Sequence, residues 1–226
     1  MGAKKVEVKM MSRFKLTVFD MDGTLLTDRT IFVFAEKKGF KDELMRVINN
    51  EKMEFYEKSI EIAKALKGTR KDELLEIFRG IPLHENVEFV ISELRRRGVK
   101  TAIVTDSYQF VADDLKERLG MDFAFANNLI IDDGIVTGDL LIYNTELKRD
   151  LDNGKIYSIC KKCVMDQLCK ELGIPLHQVI AVGDGKIDIS MIKEAGLGVA
   201  FNAPVEVQKY ADVVTSDLSV ILKYIG

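Results

Sequence analysis

The sequence predicts a doubly wound α/β fold, a mainly parallel sheet with a small helical cap inserted after its first strand. Three observations carry that prediction. From about residue 86 onward, short apolar runs alternate with amphipathic stretches that end at glycine, the pattern of βαβ units with right-handed crossovers. An earlier apolar run at 14–19 (FKLTVF) stops at Asp20-Met21-Asp22-Gly23. Between the two, residues 31–78 show helical spacing and hardly a strand signal. The expected division is an α/β core from residues 1–27 and 86–226 and a helical cap from residues 28–85.

Taken in order, 14–19 reads as a buried strand. The cap follows as FVFAEKKGF, ELMRVINNEKMEFYEKSIEIAKALKG and KDELLEIFRG, with apolar residues three and four apart and stops at Gly39, Gly68 and Gly80. Residues 86–97 predict a helix closed by Gly98, 99–104 a strand, and 110–119 a helix closed by Gly120. Apolar runs at 123–131 and 135–142 flank Asp133-Gly134, a strand, a two-residue turn and a returning strand. The polar 144–154 predicts a loop, and 156–172 a helix ended by Gly173. A strand at 179–182 runs into Gly183-Asp184-Gly185, followed by a helix at 187–195. Short strands at 198–201 and 213–214 enclose a helical turn at 205–210.

The composition excludes several classes of function. Among 226 residues, 47% are hydrophobic and 31% charged, and the formal net charge is -3, so neither nucleic acid nor a membrane surface is an expected partner. No apolar run is long enough to span a bilayer, and the amino-terminal MGAKKVEVKMMSRFK is too charged for a secretory leader. Val6 stands where a myristoylation signal at Gly2 needs Ser or Thr. The expectation is a cytoplasmic monomer or homodimer. Cys160, Cys163 and Cys169 are an odd number for a disulfide framework and are expected to be reduced. No second Cys or His pair completes a zinc site, so Cys160 and Cys163 are expected to pack as small hydrophobes on one helix.

Ligands bind outside the carboxyl ends of the strands in open parallel sheets. Here those ends carry Asp20 and Asp22, Thr105, and Asp184, with Asp188 one helical turn on. Singly, such residues are ordinary turn formers, helix caps or first-turn acids. Together, carboxylates at one edge repel unless protonated or neutralised. A magnesium ion relieves that repulsion, since it favours one or two carboxylates, waters and substrate phosphate.

The chain resembles the haloacid dehalogenase superfamily, in its phosphoserine-phosphatase-like branch. The resemblance rests on Asp20-Met21-Asp22-Gly23-Thr24, on Ile103-Val104-Thr105, on Lys161, and on the run from Gly183-Asp184-Gly185 through Asp188 to Met191, in family order around a helical insert. It implies a Rossmann-like core and a phosphatase acting on a small phosphorylated molecule. Asp20 is then the nucleophile and Asp22 the acid and base, and Thr105 and Lys161 hold the phosphoryl group. Magnesium falls to Asp20, Asp22 through its backbone carbonyl, Asp184 and Asp188. Gly23, Thr105, Asp106, Lys161 and Arg29 make up the implied substrate-binding set. A phosphotransferase or mutase of the same fold, or a non-catalytic module that accepts or binds phosphate, is the alternative.

The sequence also departs from that branch. Phosphoserine phosphatases carry a Glu for the serine amino group where Arg29 stands, and an Arg for its carboxylate where Ile62 stands. The expectation is therefore a substrate other than phosphoserine, with Arg29 either forked onto a carboxylate or second phosphate or simply solvated. Ile187 replaces a usual Asn, and 140–155 is longer than in the relatives.

Overall fold

Leu-Thr-Val-Phe at Leu16–Phe19 (β1) is fully buried and forms the central strand of a sheet in the computed structural model, which describes residues 14–225. The charged amino terminus, and the reading of it as no leader, lies outside those residues. Strands β2 (Lys100–Tyr108) and β5 (Val179–Gly183) flank β1 in parallel. Beyond β2 lie β3 (Phe123–Asp132) and the antiparallel β4 (Ile135–Leu141); beyond β5 lie β6 (Leu197–Phe201) and β7 (Val213–Thr215). The seven strands run in the order β4-β3-β2-β1-β5-β6-β7. The inner strands are buried and largely apolar along their central residues because both faces of the sheet are covered. Phe19, Ile103, Val182 and Phe201 face one core with helices α5 (Val87–Arg96) and α6 (Gln109–Leu119). Val18, Val104 and Ala181 face a second core with α7 (Lys161–Leu172) and α8 (Ile189–Glu194). The short α9 (Val205–Gln208) joins β6 to β7.

Four helices fill the chain between β1 and α5: α1 (Thr30–Lys38), α2 (Lys41–Ile48), α3 (Phe55–Lys64) and α4 (Lys71–Arg79). Phe34, Leu44, Ala63, Leu66, Leu74 and Phe78 are buried and join the larger core, so the cap is fastened by apolar contact. It is also hydrogen-bonded to the β3–β4 hairpin. Gly68 N donates to Val136 O at 2.8 Å, Val136 N to Thr69 O at 2.9 Å, and Lys71 N to Gly134 O at 2.9 Å. The hairpin turns at Asp133 and Gly134, both with positive φ (45° and 75°), as a two-residue turn between twisted strands requires.

Two expectations need correction. Residues 156–160 are not helical, and α7 starts at Lys161 with Cys160 as its N-cap in extended backbone. The hydrogen bonds of this segment are spent elsewhere, with Tyr56 N donating to Ile156 O at 3.0 Å and Asn144 N to Ser158 O at 2.8 Å. Cys160 therefore does not share a helix face with Cys163. Its sulfur folds over the first turn and is bonded to that of Cys163, so the pair is a disulfide rather than two reduced thiols; Cys169 is free and buried.

The long polar stretch before α7 proves to be a strap. Arg149 pairs with Glu54 at the start of α3 at 3.1 Å, and Ile156 N donates to Glu54 at 3.2 Å. Asp150 and Asp152 accept from Ser190 of α8 at 2.5 and 2.9 Å. The strap thus ties cap to core before delivering Lys161. No helix among the described residues is long and apolar enough to cross a membrane.

Candidate active site

The carboxyl end of β1 delivers Asp20 in register with its neighbour, its N–H donating to Val182 O at 2.9 Å. The Asp20 carboxylate accepts from Met21 N at 2.6 Å through Oδ1, which also meets Lys161 Nζ at 2.6 Å. The chain then reverses at Gly23, whose φ of 86° is open to glycine. A Cβ there would also stand 2.7 Å from Asp184 Oδ2. The turn carries Asp22 to the cap side, where the buried Thr30 hydroxyl at the start of α1 donates to its Oδ1 at 2.6 Å.

At the end of β5, Asp184 N and Gly185 N donate to Asp188 Oδ2 at 3.1 and 2.9 Å, while Lys161 Nζ donates to its Oδ1 at 2.7 Å. Thr24 Oγ1 donates to Asp184 Oδ1 at 3.0 Å. Asp20, Asp184 and Asp188 each bring a carboxylate oxygen to within 4.8 Å of the others. Among the described residues no donor reaches Asp20 Oδ2 or Asp184 Oδ2, whereas both oxygens of Asp188 are engaged. Two free hard oxygens beside a third carboxylate fit a hard divalent cation.

The electrostatics point the same way. Burial, with repulsion from Asp188, pushes the Asp20 carboxyl well above the usual carboxylate range despite the opposing charge of Lys161. Burial and Asp188 likewise raise Asp184. Burial lifts Asp22 to about 7, against the lowering effect of the Thr30 hydrogen bond. Burial disfavours the Lys161 charge, but Asp188, Asp20 and Asp106 outweigh it and hold the ammonium above its ordinary value. The neighbouring Lys162 pairs with Asp166 at 2.8 Å and Lys155 is exposed, whereas the buried Lys161 meets both Asp20 and Asp188.

Strand β2 runs four residues past its expected end, and its pairing with β3 is broken between Val104 and Tyr108. That irregularity re-aims Thr105, Asp106 and Ser107. Thr105 is fully buried and its hydroxyl accepts from Ser107 N at 3.2 Å. Asp106 is exposed, and its carboxylate makes no ion pair among the described residues. Asp106 and Asp22 share a cavity of about 90 Å³ between cap and core, walled by Ile31, Ile62, Tyr108 and Leu140. Arg29 is exposed outside that wall, near enough for its charge to lower Asp22 and Asp184.

Three supporting residues escaped the sequence reading. Thr24 stood in the first motif without an assigned contact, and Thr30 had no signal beyond a helix start. Asn127 is fully buried on β3 and bonds Asp106 O, Ser158 Oγ and Tyr143 N at 2.7, 2.9 and 3.0 Å, holding the β2 break to the strap. Only its burial marks it.

Residues 14–196 match the family described as haloacid dehalogenase-like hydrolase. The phosphoserine phosphatase of Methanocaldococcus jannaschii is 34% identical over 221 residues, spanning 96% of this chain and 100% of that one. The phosphoserine phosphatase of Archaeoglobus fulgidus is 34% identical over 202 residues, 88% of this chain and 55% of that one. A solved substrate-bound phosphoserine phosphatase complex superposes with a TM-score of 0.79 at 33% identity, covering 94% of this chain and 99% of that chain. A sheet of this order with an acidic centre at its strand ends defines a hydrolase of the haloacid dehalogenase type, and the chain belongs to that family, in the phosphoserine-phosphatase-like branch. Within it, the protein is a phosphoric monoester hydrolase.

Proposed function

We propose that the protein is a magnesium-dependent phosphatase that hydrolyses a small phosphomonoester other than phosphoserine through an aspartyl phosphate on Asp20. The observation that carries the reaction is Lys161 locked between Asp20 and Asp188 beside a separately held acid, Asp22. Asp20 attacks phosphorus through one carboxylate oxygen while the bond to the alcohol oxygen breaks, leaving the other for the cation. The Asp22 carboxyl, raised to about 7, gives its proton to the leaving oxygen. Asp22 then takes a proton from the water that attacks the aspartyl phosphate, releasing phosphate and restoring Asp20. Lys161 and Thr105 hold charge on the transferring group. Magnesium would sit on Asp20, Asp184 and the Asp22 carbonyl, where it supplies positive charge to the phosphoryl oxygens. Asp188 orients Lys161 and the Asp184 loop rather than offering a free oxygen.

The wall of the cavity at Asp22 supports the exclusion of phosphoserine. Ile62 and Ile31 face it and no basic side chain lines it, so a serine carboxylate would lose its hydration to apolar groups and to Asp106. The protein is inferred to work in the cytoplasm as a monomer or homodimer.

Phosphate release from an aryl phosphate and from a panel of phosphorylated metabolites, with and without magnesium, for wild type and Asp20→Asn, tests the reading. Magnesium-dependent turnover that vanishes in Asp20→Asn is expected, with phosphoserine among the poorest substrates. Turnover persisting in Asp20→Asn would sink the mechanism, and phosphoserine as the best substrate would sink the specificity. Recovery of label on a second alcohol rather than as free phosphate would mark a phosphotransferase.

A further inference from the structure

Phosphoryl transfer as described uses no sulfur, yet a disulfide is built directly against the buried lysine. Cys160 is the N-cap of α7 and Cys163 its third residue, so the ring they close encloses only Lys161 and Lys162. Lys161 is the first residue of that helix, 2% exposed, with Nζ on Asp20 and Asp188. The bond therefore braces the one turn of backbone from which the lysine projects.

The sulfurs are reachable. Both cysteines are half-buried and line a surface cavity of about 190 Å³ together with Tyr143, Asn144, Glu146 and Lys148 of the strap. Cys163 N donates to Cys160 Sγ at 3.2 Å, and that N–H at the start of a 12-residue helix would stabilise a thiolate on Cys160 after cleavage. Cys160 is thus the better leaving group in exchange. Cys169, two turns on in the same helix, is buried and its thiol is pushed up by that burial, which makes it an internal control.

We propose that Cys160–Cys163 is an exchangeable disulfide through which a dithiol–disulfide couple sets phosphatase activity by way of Lys161. In mesophiles the disulfides of cytoplasmic proteins are usually transient, catalytic or redox-sensing, which in the location inferred above favours an exchanging bond. A thiolate of the dithiol attacks Cys163 Sγ, the S–S bond breaks, and the electron pair leaves on Cys160 Sγ. The second thiolate of the dithiol attacks the mixed disulfide and releases Cys163. The dithiol loses two electrons and two protons and becomes a cyclic disulfide; the protein gains both and holds two thiols. Reduction frees the first turn of α7, so Lys161 is held less firmly over Asp20. Cys160 and Cys163 act as positioning residues, and their effect on turnover rests on the phosphatase reading above.

The full chain with magnesium is equilibrated across ratios of dithiothreitol to its oxidised cyclic form. Alkylation with peptide mass spectrometry, hydrogen exchange over residues 158–166 and phosphate release are read in the same samples. Cys160 and Cys163 should become alkylated together along one two-electron curve while Cys169 stays protected. Along that curve kcat should fall by about threefold or more and recover on oxidation. Cys163→Ser should give a single activity at every ratio, and Cys169→Ser should respond as the wild type does. A pair that stays bonded, or stays reduced, at every ratio overturns the proposal, as does a full redox curve with constant kcat. Hydrogen exchange reads the coupling without turnover. A chain that hydrolyses no tested ester defeats the phosphatase reading alone, and exchange that quickens or stays unchanged on reduction still decides this one.

Discussion

Replacing Lys161 by Met removes the single cation shared by two buried carboxylates while keeping most of the side-chain volume. Its side chain is fully buried, as is that of Asp188, and that of Asp20 is 8% exposed, so solvent screens little of the loss. Breaking a buried pair by removing one partner costs about 3–5 kcal/mol, because the remaining charges stay desolvated. For a chain of 226 residues each kcal/mol moves the midpoint by about 2–4 °C, so Lys161→Met should unfold roughly 6–20 °C below wild type by circular dichroism. Excess magnesium should recover more of that loss in the variant than it adds to the wild type, since a cation on Asp20 replaces part of the missing charge. Loss of one preorganised charge on the transferring group should lower kcat about 10²–10³-fold. Lys162→Met is the control, because among the described residues Lys162 pairs with the half-buried Asp166 alone and should change stability by less than about 1 kcal/mol. If the two variants melted together and retained similar kcat, the assignment of Lys161 as the buried counter-charge would be refuted.

Gly23→Ala forces a side chain into positive φ and against Asp184 Oδ2, so half-activation should need about tenfold more magnesium or worse, read from a magnesium titration of turnover. Thr30→Val removes the donor to Asp22 and should cost about tenfold to a hundredfold in kcat with KM nearly unchanged, read from steady-state kinetics on the wild type's best substrate. Ile62→Arg places a carboxylate partner in the cavity wall, and combined with Arg29→Glu, which offers an amine partner from outside that wall, should raise kcat/KM for phosphoserine by about tenfold or more over wild type. Chelation should abolish turnover and leave the far-ultraviolet spectrum folded, because Asp20, Asp184 and Asp188 each keep a protein donor without an ion; unfolding on chelation would make the metal structural instead.

The core was legible because burial on both sheet faces writes strands as short, mostly apolar runs, as at Leu16–Phe19 and Leu197–Phe201. The hairpin was legible because Asp133-Gly134 has few other uses between two apolar runs. Spacing misled at 156–160, where Tyr157 and Ile159 are apolar and buried but extended, since the backbone there bonds the cap and the strap instead of its own next turn. The end of β2 was set too early for a related reason. Polar Thr105, Asp106 and Ser107 look like the end of a strand, yet Tyr108 returns to pair with Asn127 across an irregularity. In each place a tertiary partner overrode the local pattern.

The catalytic edge and the substrate wall differ in how they can be read. Carboxylates at successive strand ends are conspicuous because each is costly unless something compensates it, and the sheet order brings Asp20 and Asp184 together from adjacent strands. The wall over Asp22 comes from elements distant in sequence, with Ile31 and Ile62 from the cap, Tyr108 from β2 and Leu140 from β4. No local pattern links those four, and an isoleucine carries no mark of facing a substrate. Ile62 draws notice only through the family resemblance, which implies an arginine at that position. The strap compounds this, since its bonds to Glu54 and Ser190 tie cap to core without any local sequence pattern that announces them. On the proposed reading, chemistry is therefore fixed by residues that are locally conspicuous, and specificity by residues that acquire meaning only once cap, hairpin and strap have closed around them.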